Sequence, residues 1–538
     1  MRKIRSSLNT HPGLWALALV AIPFLLRVVF VASGQLNLVQ DEAQYWDWTR
    51  HLQLTYYSKG PLIALIISFW TNLLGNTELG VRFGSIVGMA LTQAMLYLFL
   101  ARSWKRPDIG LWTLVIMNTM PLFMGLGVLM TTDNSFVFCW TGAVFSLYLG
   151  SRPANNIPES MTTARAIPFV FVALFLGVGI LAKYTMLGFV GLSVIYGAGL
   201  AYKRLLPQRF WRYLAISLAA GLFIGFLPTL IWNFQNDFVG YKHVLYLIGV
   251  SGKQSHTLIR FDRIPDHLGA QFGLATPWWM IFMLVGGVSA MVKYCNNVLV
   301  NPFEDRPRMD QRQALLLSVF FWPVWGFFLL WSLHAKIMPN WTTVSYVTGA
   351  VLAAYAFSGF VRTARRRGRM VVVTVLALSA FVFVLVQTAH LLPIPAKYNI
   401  TNRLKGWDQL GLTVEKLRTT EFKDPDKVFV FSELYDLTAA LAFYVPGQPR
   451  TYCAWVHDRR MNQYDLWDGP NKDKIGWDAI LVRKHYDPHP YQDLIDMFDS
   501  VSRPIRLQTT YHGHPAREFT LFICRGYNGK WPSKAGSF

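Results

Sequence analysis

Leu14-Trp-Ala-Leu-Ala-Leu-Val-Ala-Ile-Pro-Phe-Leu-Leu-Arg-Val-Val-Phe-Val-Ala-Ser33 is an apolar run whose reading decides the fold. At about 1.5 Å per residue, ~20 helical residues cross the ~30 Å hydrocarbon core of a bilayer. Met1-Arg-Lys-Ile-Arg5 precedes it, but no small-residue cleavage site stands out and the run is longer than a leader's apolar core. It reads as a retained first membrane helix. Further runs of spanning length lie at about 81–101, 109–130, 134–150, 167–182, 186–202, 213–232, 272–292, 314–333, 341–361 and 370–389. The pair 167–182 and 186–202 is short enough to leave a re-entrant hairpin open there. Composition agrees: 53% of the 538 residues are hydrophobic and 15% charged, against about 25% charged in soluble chains. The sequence predicts an α-helical polytopic membrane protein with about 11 transmembrane helices.

The net charge of +21 would suit a polyanion partner if it were clustered on one soluble face. It is not. Residues 1–390 carry +18 and residues 391–538 only +3. The excess lies between spans, where Lys and Arg report membrane orientation. No nucleic-acid partner is expected. With eleven crossings, one set of loops holds 21 Lys and Arg and the opposite set 8. That bias places the N-terminus in the cytoplasm and the C-terminus outside.

After His390 the texture becomes soluble. Val428–Phe431, Ala479–Val482 and Glu518–Cys524 read as strands; Leu434–Tyr444 and Tyr491–Val501 carry helical spacing. The expected division is therefore a membrane domain over 1–390 and a small α/β domain over 391–538 on the outer side. Cys453 and Cys524 both fall in that outer domain, which leaves a disulfide open in an oxidising compartment.

Charges on the outer face are few, and each is informative. The first outer loop opens with Asp41-Glu-Ala-Gln-Tyr-Trp-Asp-Trp48. As a helix it sets Asp41, Tyr45, Trp48 and Leu52 on one face, an aromatic surface suited to lie along the interface. Asp41 can serve as a base, or simply as the acidic start of a helix. Tyr56-Tyr-Ser-Lys-Gly-Pro61 follows, then an apolar stretch too short to span. Lys59 at the mouth of that helix suits a phosphate, or snorkels to headgroups. Asp133, in Leu129-Met-Thr-Thr-Asp-Asn134, is a carboxylate between two spans, where an ionisable group is costly and marks a site unless it caps a helix. Lys183 has the same outward placement. Lys336 stands in another tight outer turn, and Lys242, His243 and Arg260 in a longer outer loop. A few carboxylates among several cations suit a phosphorylated lipid better than a transported ion.

These residues resemble the GT-C superfamily of glycosyltransferases. The likeness rests on Asp41-Glu42 after the first span, Tyr57-Ser-Lys-Gly-Pro61, and an Asp after the third span. It also rests on Ala182-Lys-Tyr-Thr185, Leu230-Ile-Trp-Asn-Phe-Gln-Asn-Asp237, Pro339-Asn-Trp341 and Asn462-Gln-Tyr-Asp-Leu-Trp467. It is nearest to bacterial relatives of protein O-mannosyltransferases and of lipid A aminoarabinose and galacturonic acid transferases. The resemblance implies a GT-C fold and transfer of a sugar from a polyprenyl-monophosphate donor. The implied acceptor is lipid A, another lipopolysaccharide component or a protein, on the periplasmic side of a bacterial inner membrane. It places Asp41 at the catalytic carboxylate, Asp133 at a second acidic position and Lys59 near the donor phosphate. Glu42, Tyr57, Lys183, His243, Arg260 and Lys336 complete the expected substrate-binding set. Ser58 stands where the aminoarabinose transferases carry an acidic metal-site residue, so a divalent metal stays open and no cofactor is committed. A polytopic lipid or solute transporter is the competing class. It would show repeated halves, and none is visible.

Overall fold

The computed structural model describes residues 10–153, 162–247, 260–296, 309–392, 400–456, 461–470 and 472–532. The helices are, in chain order, α1 Pro12–Ala32, α2 Gln40–Thr49, α3 Leu62–Leu74, α4 Glu78–Arg102, α5 Pro107–Thr119, α6 Pro121–Leu126, α7 Thr132–Gly150 and α8 Thr162–Ala182. They continue with α9 Gly188–Tyr202, α10 Phe210–Gln235, α11 Val239–Leu247, α12 Arg263–Ala275, α13 Pro277–Asn296, α14 Gln311–Trp331, α15 Thr343–Thr363 and α16 Arg366–Thr388. Among the described residues, eight helices are long and apolar enough to cross a membrane. The three remaining expected spans are also helical, and each departs for a visible reason. Pro121 cannot continue a helical hydrogen-bond ladder, so the third span divides into α5 and α6 around an extended Met120. Asp133, Asn134 and Ser135 lower the hydropathy of α7. In α8 the apolar stretch is only Ala166–Ala182.

Two compact units emerge. The first comprises 1–29, 83–231 and 253–387; the second comprises 30–82, 232–252 and 388–538. In the first, α7 packs on α8 and α15 on α5 and α13. Pro23 inside α1 leaves the Leu19 carbonyl without its helical donor. Asn118 Nδ2 supplies one at 2.8 Å, and Gln93 in turn donates to Asn118.

In the second unit, residues 30–82 and 232–252 join the C-terminal chain. The reason is packing. Helix α2 buries Ala43, Tyr45, Trp46 and Trp48 against α3 (Leu62–Leu74) and a later helix, Tyr435–Tyr444. Trp46 meets Phe443 edge-on, with ring centroids 4.9 Å apart. The aromatic face expected to lie along the membrane interface is thus covered by protein, and Leu52, beyond the helix, is exposed.

The rest of this unit is α/β: α17 Trp407–Thr420, β1 Val428–Ser432, α18 Tyr435–Tyr444, β2 Thr451–Cys453, β3 Asp478–Lys484, α19 Gln492–Ile495, β4 Phe498–Val501, β5 Ile505–Tyr511 and β6 His514–Tyr527. The sheet runs β2-β1-β3-β6-β4, with β5 also on β6; β1 is parallel to β2 and β3, the remainder antiparallel. Covered on both faces, β1 reads Val-Phe-Val-Phe-Ser, a buried run without alternation.

One expectation is corrected here, and one open question closes. Tyr491–Val501 is only helical at α19, because Phe498–Val501 pairs with β6 instead. Cys453 and Cys524 form no disulfide with each other. They sit on β2 and β6 with β1 and β3 between them. At about 4.8 Å per strand this is ~14 Å, about twice the Cα separation a disulfide tolerates.

Candidate active site

Helix α2 begins with Gln40-Asp41-Glu42, and the two carboxylates have different environments. Glu42 Oε2 accepts the Val39 N–H at 2.8 Å and pairs with Arg82 Nη2 at 2.7 Å, both side chains about 1% exposed. Arg82 also donates to the carbonyls of Leu36 and Asn37. Glu42 therefore does the helix-start work that Asp41 could have done. No hydrogen bond among the described residues engages the Asp41 carboxylate.

Asp41 is reachable from the surface, yet enough protein surrounds it that loss of hydration raises its pKa above the ordinary carboxylate value. Asp436 and Glu42 push the same way, while Lys59 and Arg403 oppose them. A group both accessible and crowded stands in a recess. There it is a better base than a fully hydrated aspartate, since basicity rises with pKa.

Lys59 is half-buried just before α3, with Pro61 in the cap position. Its loop is fixed by backbone: the Lys59 carbonyl accepts from Tyr56 N–H and Thr55 Oγ1, each at 3.1 Å. Tyr57 and His243 are buried, their rings 4.4 Å apart, and Tyr57 packs with Trp232, Val239, Trp455 and Met461. The Tyr57 N–H donates to Gln463 at 2.7 Å, and Trp232 Nε1 to Gln53 at 3.0 Å. Three of the quoted motif segments, around 57–61, 230–237 and 462–467, therefore meet within one unit. Beside them Leu52, Gln53, Leu54, Trp232, Gln235 and Asn236 line an open recess of about 500 Å³ with no charged wall residue.

In the other unit, Asp133 is the second residue of α7 and is buried. Its neighbour Asn134 does the capping, accepting the Thr131 N–H at 2.8 Å. Asp133 turns instead to two of the other motif segments. Lys183 Nζ donates to Oδ1 and Asn340 Nδ2 to Oδ2, each at 2.7 Å. The same division of labour recurs at both sites: the following residue holds the helix, and the aspartate is released for another use. Arg260 pairs with Asp262 at 2.8 Å on an exposed surface, and Lys336 is exposed. The sequence reading passed over Arg82, Gln53 and Tyr464, whose hydroxyl donates to buried Asp47 at 2.7 Å. Arg82 did carry a signal, as a charge inside an otherwise apolar span.

Among the described residues, no three His, Cys, Asp or Glu side chains come together to hold a metal ion. Ser58, beside Lys59, adds a hydroxyl rather than a carboxylate.

Residues 58–232 match the family described as dolichyl-phosphate-mannose-protein mannosyltransferase. The lipid A galacturonosyltransferase RgtD of Rhizobium johnstonii is 28% identical over 346 residues, 63% of this chain and 64% of that protein. The undecaprenyl phosphate-α-4-amino-4-deoxy-L-arabinose arabinosyl transferase of Edwardsiella ictaluri is 24% identical over 230 residues, 40% of this chain and 39% of that one. The chain thus matches less than two thirds of either relative's length. The crystal structure of ArnT from Cupriavidus metallidurans bound to undecaprenyl phosphate superposes with a TM-score of 0.63 at 15% identity, covering 95% of this chain and 98% of that one. The oligosaccharyltransferase of Archaeoglobus fulgidus gives 0.54 at 10%, over 87% of this chain and 69% of that one. The chain is a multi-pass membrane protein with the GT-C fold, and it resembles the glycosyltransferases of that superfamily in sequence.

Proposed function

We propose that this protein is an integral-membrane glycosyltransferase. It moves a sugar from a polyprenyl-monophosphate donor to lipid A or another lipopolysaccharide component on the periplasmic side, with inversion. The observation that carries the reading is Asp41: an accessible carboxylate without a hydrogen-bond partner among the described residues, its pKa raised, with Lys59 acting on its charge. The relatives named above, one acting on lipid A and another on an undecaprenyl-phosphate sugar, support the substrate class.

Asp41 takes the proton of an acceptor hydroxyl as its oxygen bonds to the anomeric carbon. The bond from that carbon to the phosphate oxygen breaks, and polyprenyl phosphate leaves with the electron pair. Lys59 meets the charge that grows on the departing phosphate. Asp133, held at both oxygens, orients rather than accepts a proton. Where the acceptor is itself a phosphate, Asp41 orients it.

Mass spectrometry of lipid A and envelope glycans, with and without the gene, tests the reading. Loss of one sugar from lipid A is the expected result; unchanged lipid A and core would overturn it. Protein acceptors are the second reading, favoured by the description of the matched family. Loss of glycan from envelope proteins alone would select it.

Lys59→Ala should weaken donor use about ten- to a hundredfold, the worth of one charge-assisted contact. It should also move the acid limb of kcat/KM to higher pH. A base works ionised, and Lys59 favours the ionised form; without it the Asp41 pKa rises further. Wild-type kinetics and an unmoved limb would leave Lys59 a headgroup contact.

The 21-to-8 asymmetry supports a periplasmic C-terminal domain. Alkaline phosphatase fused after Phe538 should be active and a cytoplasmic reporter at the same point silent; the reverse would overturn the orientation.

A further inference from the structure

Arg27 is the sole ionisable residue of α1, inside a span where a charge is costly and marks function. Its side chain is 2% exposed, so it does not snorkel to water. Other strongly buried guanidinium groups are satisfied by carboxylates: Arg82 by Glu42 at 2.7 Å and Arg483 by Glu433 at 3.1 Å. Among the described residues, Arg27 has no ion pair and no hydrogen-bond acceptor. An uncompensated buried guanidinium is strongly unfavourable unless a counter-charge arrives from outside the chain.

The place around it is built to hold that group. A Cβ on Gly127 would lie 2.6 Å from Arg27 Cζ, 2.7 Å from Nε and 2.9 Å from Nη1. The guanidinium therefore rests on bare backbone just after α6, where any other residue would displace it. Asn134 donates to the Leu126 carbonyl, which ties this backbone to the start of α7 beside Asp133. Asp133 and Lys183 neutralise one another, so the charge of Arg27 remains unbalanced. Leu26 and Val29, on the same helix, are exposed and give a hydrocarbon chain a surface to follow.

We infer that Arg27 anchors an anion site for the phosphate of a lipid, a mono- or diester whose oxygens match the parallel N–H groups of a guanidinium. The anion follows from the unpaired charge; the choice of a polyprenyl carrier rests on the transferase reading above.

The test measures Tm for the purified full-length protein in detergent, titrated with undecaprenyl phosphate, undecaprenol or phosphatidylglycerol. Undecaprenyl phosphate should raise the wild-type Tm and undecaprenol should not. Arg27→Met should be at least as stable as wild type without lipid, and should bind undecaprenyl phosphate about ten- to a hundredfold more weakly. Arg27→Lys should retain part of the affinity. An equal shift with phosphatidylglycerol, also lost in Arg27→Met, supports the site and makes bulk phospholipid its occupant. An Arg27→Met protein with wild-type affinity overturns the inference and leaves the transferase reading standing. A wild type indifferent to both phosphate lipids overturns it too, and sugar transfer by the same preparation then judges the transferase reading separately. Should Arg27→Met not fold, Gly127→Ala puts a methyl group where the guanidinium rests; unchanged affinity in that variant is equally fatal.

Discussion

Asp41→Asn should lower turnover about 10²–10⁴-fold, the range for loss of a general base, with the protein still folded. The fold survives because Glu42, not Asp41, caps α2 and holds Arg82. Donor binding should also survive, since a carboxylate repels a phosphate rather than recruiting it. Asp133→Asn should impair turnover as well, and the double variant should lose less than the product of the two if they act as one unit. Transfer assays with purified protein across donor concentrations separate these outcomes. Near-normal turnover in Asp41→Asn would remove Asp41 from the mechanism.

Arg82→Met should act on stability rather than chemistry. It leaves Glu42 buried beside an apolar side chain and strips donors from the carbonyls of Leu36 and Asn37. Breaking such a pair from one side costs about 3–5 kcal/mol, a large share of the stability of any domain. The double change Glu42→Met with Arg82→Met should recover part of that loss, because neither member of the pair is then left without the other. It should not recover all, because the Val39 N–H still loses its acceptor. Thermal unfolding of the three proteins in one detergent checks the order. A single variant as stable as wild type would mean that the pair is not what fixes the start of α2.

The two aspartates show why a motif and its scaffold separate so poorly in sequence. Asp41-Glu42 and Asp133-Asn134 each combine one residue that holds a helix start with one freed from that task. Composition and spacing assign both residues to the same turn. Only the direction of each side chain tells them apart, and that depends on Arg82, Lys183 and Asn340, which lie 40, 50 and 207 residues further along the chain.

What the sequence determined by itself was whatever depends on local hydropathy and local charge. Runs of about 20 apolar residues have few alternatives to membrane helices, because a bilayer leaves backbone polar groups no partner outside the segment. The buried strands Val428–Ser432 and Asp478–Lys484 were legible for a similar reason, since both faces are covered. Tertiary structure alone decided the rest. Phe498–Val501 became a strand because β6 offered it an edge. Cys453 and Cys524 stayed apart because two strands intervene. The segment after the first membrane helix joined the C-terminal unit because its aromatic side chains bury against α18. Arg27 lies inside a span, outside the loop charges that report orientation; its burial against Gly127 is what marks it. Each of these outcomes turns on long-range contacts, whose energies exceed the differences in local propensity that a short window of sequence can express.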